Sequence, residues 1–181
     1  MELVIIIAMG GNILKICVLS HLILGLYALI FISIPSSSAE GQCRGTAACF
    51  TGNITKVVDG DTIDVNGIRI RLSLVNTPEI GKEYFTESKR FAEKLCPVGT
   101  VALVDQDDGQ KQGSFGRMIG EVYCNYDDTN HNLIKNLNQE MIKSGYANIL
   151  TKHCIESEFA NETWATTFGC EAILTGKSYF H

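Results

Sequence analysis

A tight hairpin constrains the centre of this chain. Thr62-Ile63-Asp64-Val65 and Ile68-Arg69-Ile70-Arg71-Leu72-Ser73-Leu74 both alternate apolar with polar residues, and Asn66-Gly67 stands between them. Two strands joined by that dipeptide turn through a two-residue loop whose central positions both need positive φ, which Asn and Gly tolerate best. Such a turn pairs Val65 with Ile68, Asp64 with Arg69 and Thr62 with Arg71. Continuing the ladder puts Asp61 opposite Leu72 and Val58 opposite Val75. Ile68, Ile70, Leu72 and Leu74 then share one face, and Arg69 and Arg71 point the other way.

The same register decides which polar residues meet. Asp59-Gly60-Asp61 and Asn76-Thr77-Pro78-Glu79 come to the open end of one ribbon, with Arg71 beside them. Carboxylates, an amide and backbone carbonyls are the ligands of a hard cation such as calcium. Arg71 has no place in a purely structural calcium site; it belongs where a phosphate is held through paired N–H donors. Glu79 is then a carboxylate close to both, placed to activate or orient water. Taken singly, D-G-D is ordinarily a solvated turn, T-P-E a loop and Arg117 a surface charge. Their joint occurrence in register carries the argument.

Further strands are expected at Ile54–Val58, Thr100–Val104 and Met118–Cys124. A helix is expected from about Tyr84 to Leu95, closed by Cys96-Pro97 and Gly99. Two more amphipathic helices follow, one carrying Leu133, Leu137 and Met141 before Gly145, the other Ala160, Trp164 and Phe168 before Gly169. Each apolar stripe is expected to be buried. Five short strands with interleaved helices make an α+β domain built on a small barrel.

Residues 1–39 stand apart from that domain. Ile16 to Ile34 is apolar, Lys15 precedes it, and small residues at Ser37 and Ala39 fit a signal-peptidase site, so cleavage after Ala39 is expected. The alternative is an uncleaved membrane anchor with the domain outside. Residues 40–181 form the expected domain, with its core at about 50–170. Of seven cysteines, Cys17 lies in the export segment. Cys43, Cys49, Cys96, Cys124, Cys154 and Cys170 remain, an even set suited to disulfides in a secreted or extracytoplasmic setting. Cys154 with Cys170 and Cys96 with Cys124 are the preferred pairs. The sequons Asn53-Ile54-Thr55 and Asn161-Glu162-Thr163 are compatible with export. The net charge is −5, and residues 1–39 hold one Lys and one Glu, so the remainder is equally acidic. That balance argues against a non-specific nucleic-acid coat, which depends on many Lys and Arg contacts to phosphate. A polyanion would have to be held by a compact site in which metal and a few arginines do the binding.

V-D-G-D-T at 58–62, R-L-S-L-V-N-T-P-E at 71–79, F-G-R at 115–117 and M-I-K-S-G-Y-A at 141–147 resemble the staphylococcal nuclease (thermonuclease) family. The similarity runs in order from about Ile54 to Ile149 and is weaker beyond. The resemblance implies a five-stranded OB-fold barrel with three α-helices and a calcium-dependent endonuclease acting on DNA or RNA, with products bearing a 3′-phosphate. By motif position it implies Asp61, Asn76 and the Thr77 carbonyl as Ca2+ ligands, Glu79 as base or water-orienting group, and Arg71 and Arg117 as phosphate clamp. Phe115 is implied to touch substrate.

This chain departs from the family at several of these positions. Asn76 stands where the family has a second aspartate, which predicts weaker calcium binding. Phe115 replaces a tyrosine, Ser114 a lysine, and an aromatic expected to stack a base is missing around Leu150-Thr151. The segment after Glu79 is also shorter. Two other readings compete: a non-catalytic OB-fold nucleic-acid-binding module, and a calcium-stabilised secreted module. The joint presence of Arg71, Glu79 and Arg117 favours catalysis.

Overall fold

The computed structural model describes residues 43–126 and 134–175, so the expected export segment and Leu133 lie outside it. Strand β1 (Cys49–Val57) is followed by β2 (Thr62–Val65) and β3 (Ile68–Leu72). Asn66 and Gly67 turn the hairpin with φ of 49° and 78°, the doubly positive pair that this turn needs. Its register is the one the turn dictates, from Val65↔Ile68 to Thr62↔Arg71. The Leu72 N–H still donates to the Asp61 carbonyl at 2.9 Å, and there the ladder ends. Val58 does not oppose Val75. Leu74 adopts a left-handed φ of 61°, which turns the chain off the strand, and Val75 pairs with Ile149 instead.

Strands β5 (Val101–Gln106) and β6 (Met118–Cys124) complete the barrel, while β4 (Val75–Asn76) pairs outside it with β8 (Asn148–Ile149). A two-residue β7 (Lys135–Asn136) pairs with the end of β6. Strand β1 lies between β2 and β5, β5 pairs with β6, and β6 closes onto β3 in parallel. The circuit β1-β2-β3-β6-β5-β1 is a closed five-stranded barrel of the OB type. Strand β1 begins earlier than expected because Cys49–Asn53 pair with Val101–Asp105, a distant partner that local pattern does not reveal. A register shift between Ile54 and Lys56 bends β1 between its two neighbours.

Helix α1 (Phe85–Leu95) begins after Tyr84, which sits at its N-cap with φ 63°, and Cys96 ends it. Helix α2 (Leu137–Lys143) starts at Asn136, whose side chain accepts from the Gln139 N–H. Leu137 and Met141 on α2 are fully buried. The third stripe is not one continuous helix. Ala160 lies in a 3-10 turn (Glu158–Asn161), Trp164 in α3 (Thr163–Ala165), and Phe168 in a π turn (Thr166–Cys170) that leads into α4 (Glu171–Leu174). The widened turn leaves Phe168 exposed, and Gly169 lies inside the segment rather than closing it. Ile63, Val65, Ile70, Leu72, Val104 and Val122 join Leu137, Met141, Phe159 and Trp164 in one core. Each large aliphatic side chain there contributes roughly 2 kcal/mol by burial. Disulfides join Cys43 to Cys49, Cys96 to Cys124 and Cys154 to Cys170; the last two are the pairs preferred from sequence.

Candidate active site

The Asp59-Gly60-Asp61 loop is tight because its own groups satisfy it. The Asp61 N–H donates to Asp59 Oδ1 at 3.1 Å, and the Val58 N–H donates to the Thr62 carbonyl at 2.9 Å. Gly60 is needed here, since a Cβ would stand 2.7 Å from Thr77 Cγ2 and 2.9 Å from Ser88 Oγ. The loop can therefore lie against both the Thr77 segment and α1. Asp61 is buried and uses both oxygens. Oδ2 accepts from the Thr77 N–H at 2.8 Å and the Thr77 hydroxyl at 2.9 Å, and Oδ1 accepts from the Thr62 hydroxyl at 3.1 Å.

Arg71 completes that arrangement. Its Nη2 lies 3.2 Å from Asp61 Oδ2, and its Nη1 donates to the carbonyls of Leu72 at 3.0 Å and Val75 at 2.5 Å. Burial lowers its pKa and the Asp61 carboxylate opposes that; beyond these, the charge of Arg117 lowers it and those of Asp59 and Glu79 raise it. Arg117 and three carboxylates thus lie within electrostatic reach of Arg71. Burial, and then the like charge of Asp61, hold the Asp59 carboxyl above its usual range. Glu79 is exposed just beyond Thr77-Pro78, and Asn76 is half-buried on β4 opposite Asn148. Among the described residues no three His, Cys, Asp or Glu side chains converge to hold a metal ion. The ligand set expected from sequence draws instead on one carboxylate, one amide and one carbonyl.

Barrel closure delivers Arg117. The parallel β3–β6 pairing sets Arg71 beside Ile119, two residues beyond Arg117, and both arginines line one cleft of about 570 Å³. Arg117 Nε donates to the Ser114 carbonyl at 3.1 Å, and its guanidinium carbon is 5.9 Å from the Phe115 ring centroid. Phe115 itself is 97% exposed. Gln110 and Lys111, on the loop between β5 and β6, form a second wall of the cleft, and His153 and Glu156, after β8, form a third. His153 Nδ1 lies 3.2 Å from Glu156 Oε2. Sequence reasoning missed these residues, since a lone histidine or glutamine in a polar stretch carries no local signal.

One buried carboxylate pins the walls from behind. Asp107 accepts from the Ser73 hydroxyl at 2.7 Å, the Gly109 N–H at 3.0 Å, the Gln110 N–H at 3.2 Å and the Glu158 N–H at 3.3 Å. The end of β3, the β5–β6 loop and the C-terminal segment are tied to a single group.

Residues 69–165, more than half of the chain, match the family described as staphylococcal nuclease homologue. An uncharacterized protein of Methanocaldococcus jannaschii is 33% identical over 139 residues, covering 62% of this chain and 65% of that protein. A protein named uncharacterized endonuclease from Escherichia coli O157:H7 is 31% identical over 100 residues, covering 53% of this chain and 58% of its own. A protein named micrococcal nuclease from Shigella flexneri is 28% identical over 105 residues, covering 55% and 58% respectively. The chain spans less than two thirds of the length of each of these relatives. With its barrel, its paired arginines and a family match across most of the site, the chain belongs to the staphylococcal nuclease homologue family.

Proposed function

We propose that this chain is a calcium-dependent nuclease that hydrolyses phosphodiester bonds of DNA or RNA and leaves 3′-phosphate products. The observation that carries this reading is the pairing of Arg71 and Arg117 on one cleft, with Glu79 close enough for its charge to act on Arg71. Relatives named endonuclease and micrococcal nuclease support it.

The residues fit calcium by donor chemistry. Asp61, the Asn76 amide and the Thr77 carbonyl would hold it, all through oxygen, and its charge would offset the repulsion between Asp59 and Asp61. When bound, calcium supplies polarisation of a phosphate oxygen and neutralises charge. The chain's own groups do the rest. Arg71 and Arg117 hold the non-bridging oxygens, more strongly as charge builds in the transition state. Glu79 takes a proton from water attacking phosphorus in line with the leaving 5′ oxygen. The P–O5′ bond breaks, phosphate stays on the 3′ oxygen, and the 5′ oxygen takes a proton from solvent. The two Thr77 hydrogen bonds to Asp61 keep the segment that carries Glu79 against the loop. Three disulfides support export to an oxidising compartment, with the segment at 16–34 acting as a cleaved signal or a membrane anchor.

The test is incubation of purified protein with single-stranded DNA and with RNA, first in calcium and then in EGTA. Hydrolysis is expected in calcium only, with fragments whose 5′ hydroxyls accept a kinase label without phosphatase treatment. Binding of either polymer without hydrolysis would leave only a non-catalytic OB-fold module.

A further inference from the structure

Arg117 stands between two hollows. One is the 570 Å³ cleft it shares with Arg71. The other, of about 210 Å³, is lined by Val58, Asp59, Thr62, Arg69, Phe115 and Arg117. We propose that the smaller hollow is a second nucleotide subsite, in which Phe115 stacks on the base at one side of the scissile phosphate while the larger cleft takes the nucleotide at the other. This deepens the nuclease reading and rests on it.

A phosphodiester has a nucleoside on each side, so a phosphate held by Arg71 and Arg117 sends its two neighbours in different directions. Arg117 borders both available spaces. Phe115 is 97% exposed and sits at φ 63°, a conformation unfavourable for any residue with a Cβ. A phenyl ring in strained backbone that gains no burial is explained by what it presents to a ligand. Lacking a hydroxyl, it presents a π face, which stacks on bases with little regard to their identity.

The lining suits a base: Val58 and Phe115 supply apolar surface, and the Asp59 carboxylate balances part of the charge of Arg69 and Arg117. Arg69 is exposed on the rim, oriented by its bonds to Asp64 at 2.8 Å and 3.0 Å, and offers positive charge to the passing backbone. Base-holding spaces on both sides of the arginine pair suit internal linkages.

The test compares wild type with Phe115→Ala on a dinucleoside monophosphate and on its two abasic analogues, each lacking one base. Phe115→Ala is expected to lower kcat/KM on the intact substrate at least about fivefold, mostly through KM, as for loss of one base–aromatic stack. It should have the same effect on one abasic analogue and none on the other, and Phe115→Trp should restore activity. Equal losses on all three substrates, or no loss on any, overturn the subsite. Because the side chain is exposed, the unfolding midpoint should not move. Binding of a fluorescent oligothymidylate in EGTA separates the two readings. Phe115-dependent binding by a protein that hydrolyses nothing defeats the nuclease and keeps the subsite; hydrolysis indifferent to Phe115 does the reverse.

Discussion

Replacing Glu121 by glutamine is expected to stabilise the domain above neutral pH and to leave it nearly unchanged below about pH 4. Glu121 is fully buried on β6 and accepts from the Tyr123 hydroxyl at 2.6 Å, Trp164 Nε1 at 3.0 Å and Asn136 Nδ2 at 3.1 Å. Burial pushes its carboxyl up from 4.5 to about 7, although those three donors pull the other way. The folded state therefore binds the proton more tightly than the unfolded one. Its contribution to stability is complete below about pH 4.5 and is lost as pH rises toward about 7. That gap corresponds to about 3 kcal/mol. Glutamine keeps the shape and cannot ionise, and the rise already includes the pull of the three donors, so a gain of about 3 kcal/mol at about pH 8 follows. Urea unfolding across this range, read by fluorescence of the single tryptophan, Trp164, measures it directly. Asp105, pushed up to about 6 by burial, titrates in the same window in both proteins and cancels in the difference. Parallel stability profiles for wild type and Glu121→Gln from about pH 4.5 to 7 would refute the reasoning.

Arg117→Ala should keep the unfolding midpoint and lower turnover at least about a hundredfold, as for loss of one transition-state donor; near-normal hydrolysis removes it from the mechanism. Arg71→Ala should lose activity likewise and also cost about 3 kcal/mol in urea unfolding, because Asp61 and two carbonyls lose their donor. Asn76→Asp should tighten calcium binding by titration calorimetry, since the site gains a full negative charge; equal affinities count against Asn76 as a ligand. Replacing Cys96 and Cys124 together by serine opens a crosslink of sequence separation 28 and should cost about 3.5 kcal/mol in denaturant unfolding.

Much of the site was legible because it is local. Asn66-Gly67 sets the hairpin, the hairpin sets Thr62 opposite Arg71, and the Asp61 carbonyl still reaches Leu72 as that register requires. Two disulfides could be read from cysteines that flank or end elements. Where local pattern was extended too far it failed. The Val58–Val75 pairing required a strand to continue through Leu74, whose left-handed backbone ends it. The stripe of Ala160, Trp164 and Phe168 assumed one helical period, which a 3-10 turn and a π turn interrupt.

Alternation and turn chemistry act within a few residues, so the sequence by itself determined the hairpin and the side from which Arg71 projects; the bonds between Asp61 and Thr77 form only after the chain turns off the strand at Leu74. The approach of Arg117 to Arg71 was decided by the parallel closure of β6 onto β3. The third wall of the cleft came from the β4–β8 ladder, which fastens the chain after α2 beside Leu74 and Asn76. Both pairings join segments far apart in the chain. Their register depends on how the whole barrel closes and buries its core, and that information exists only in the folded molecule.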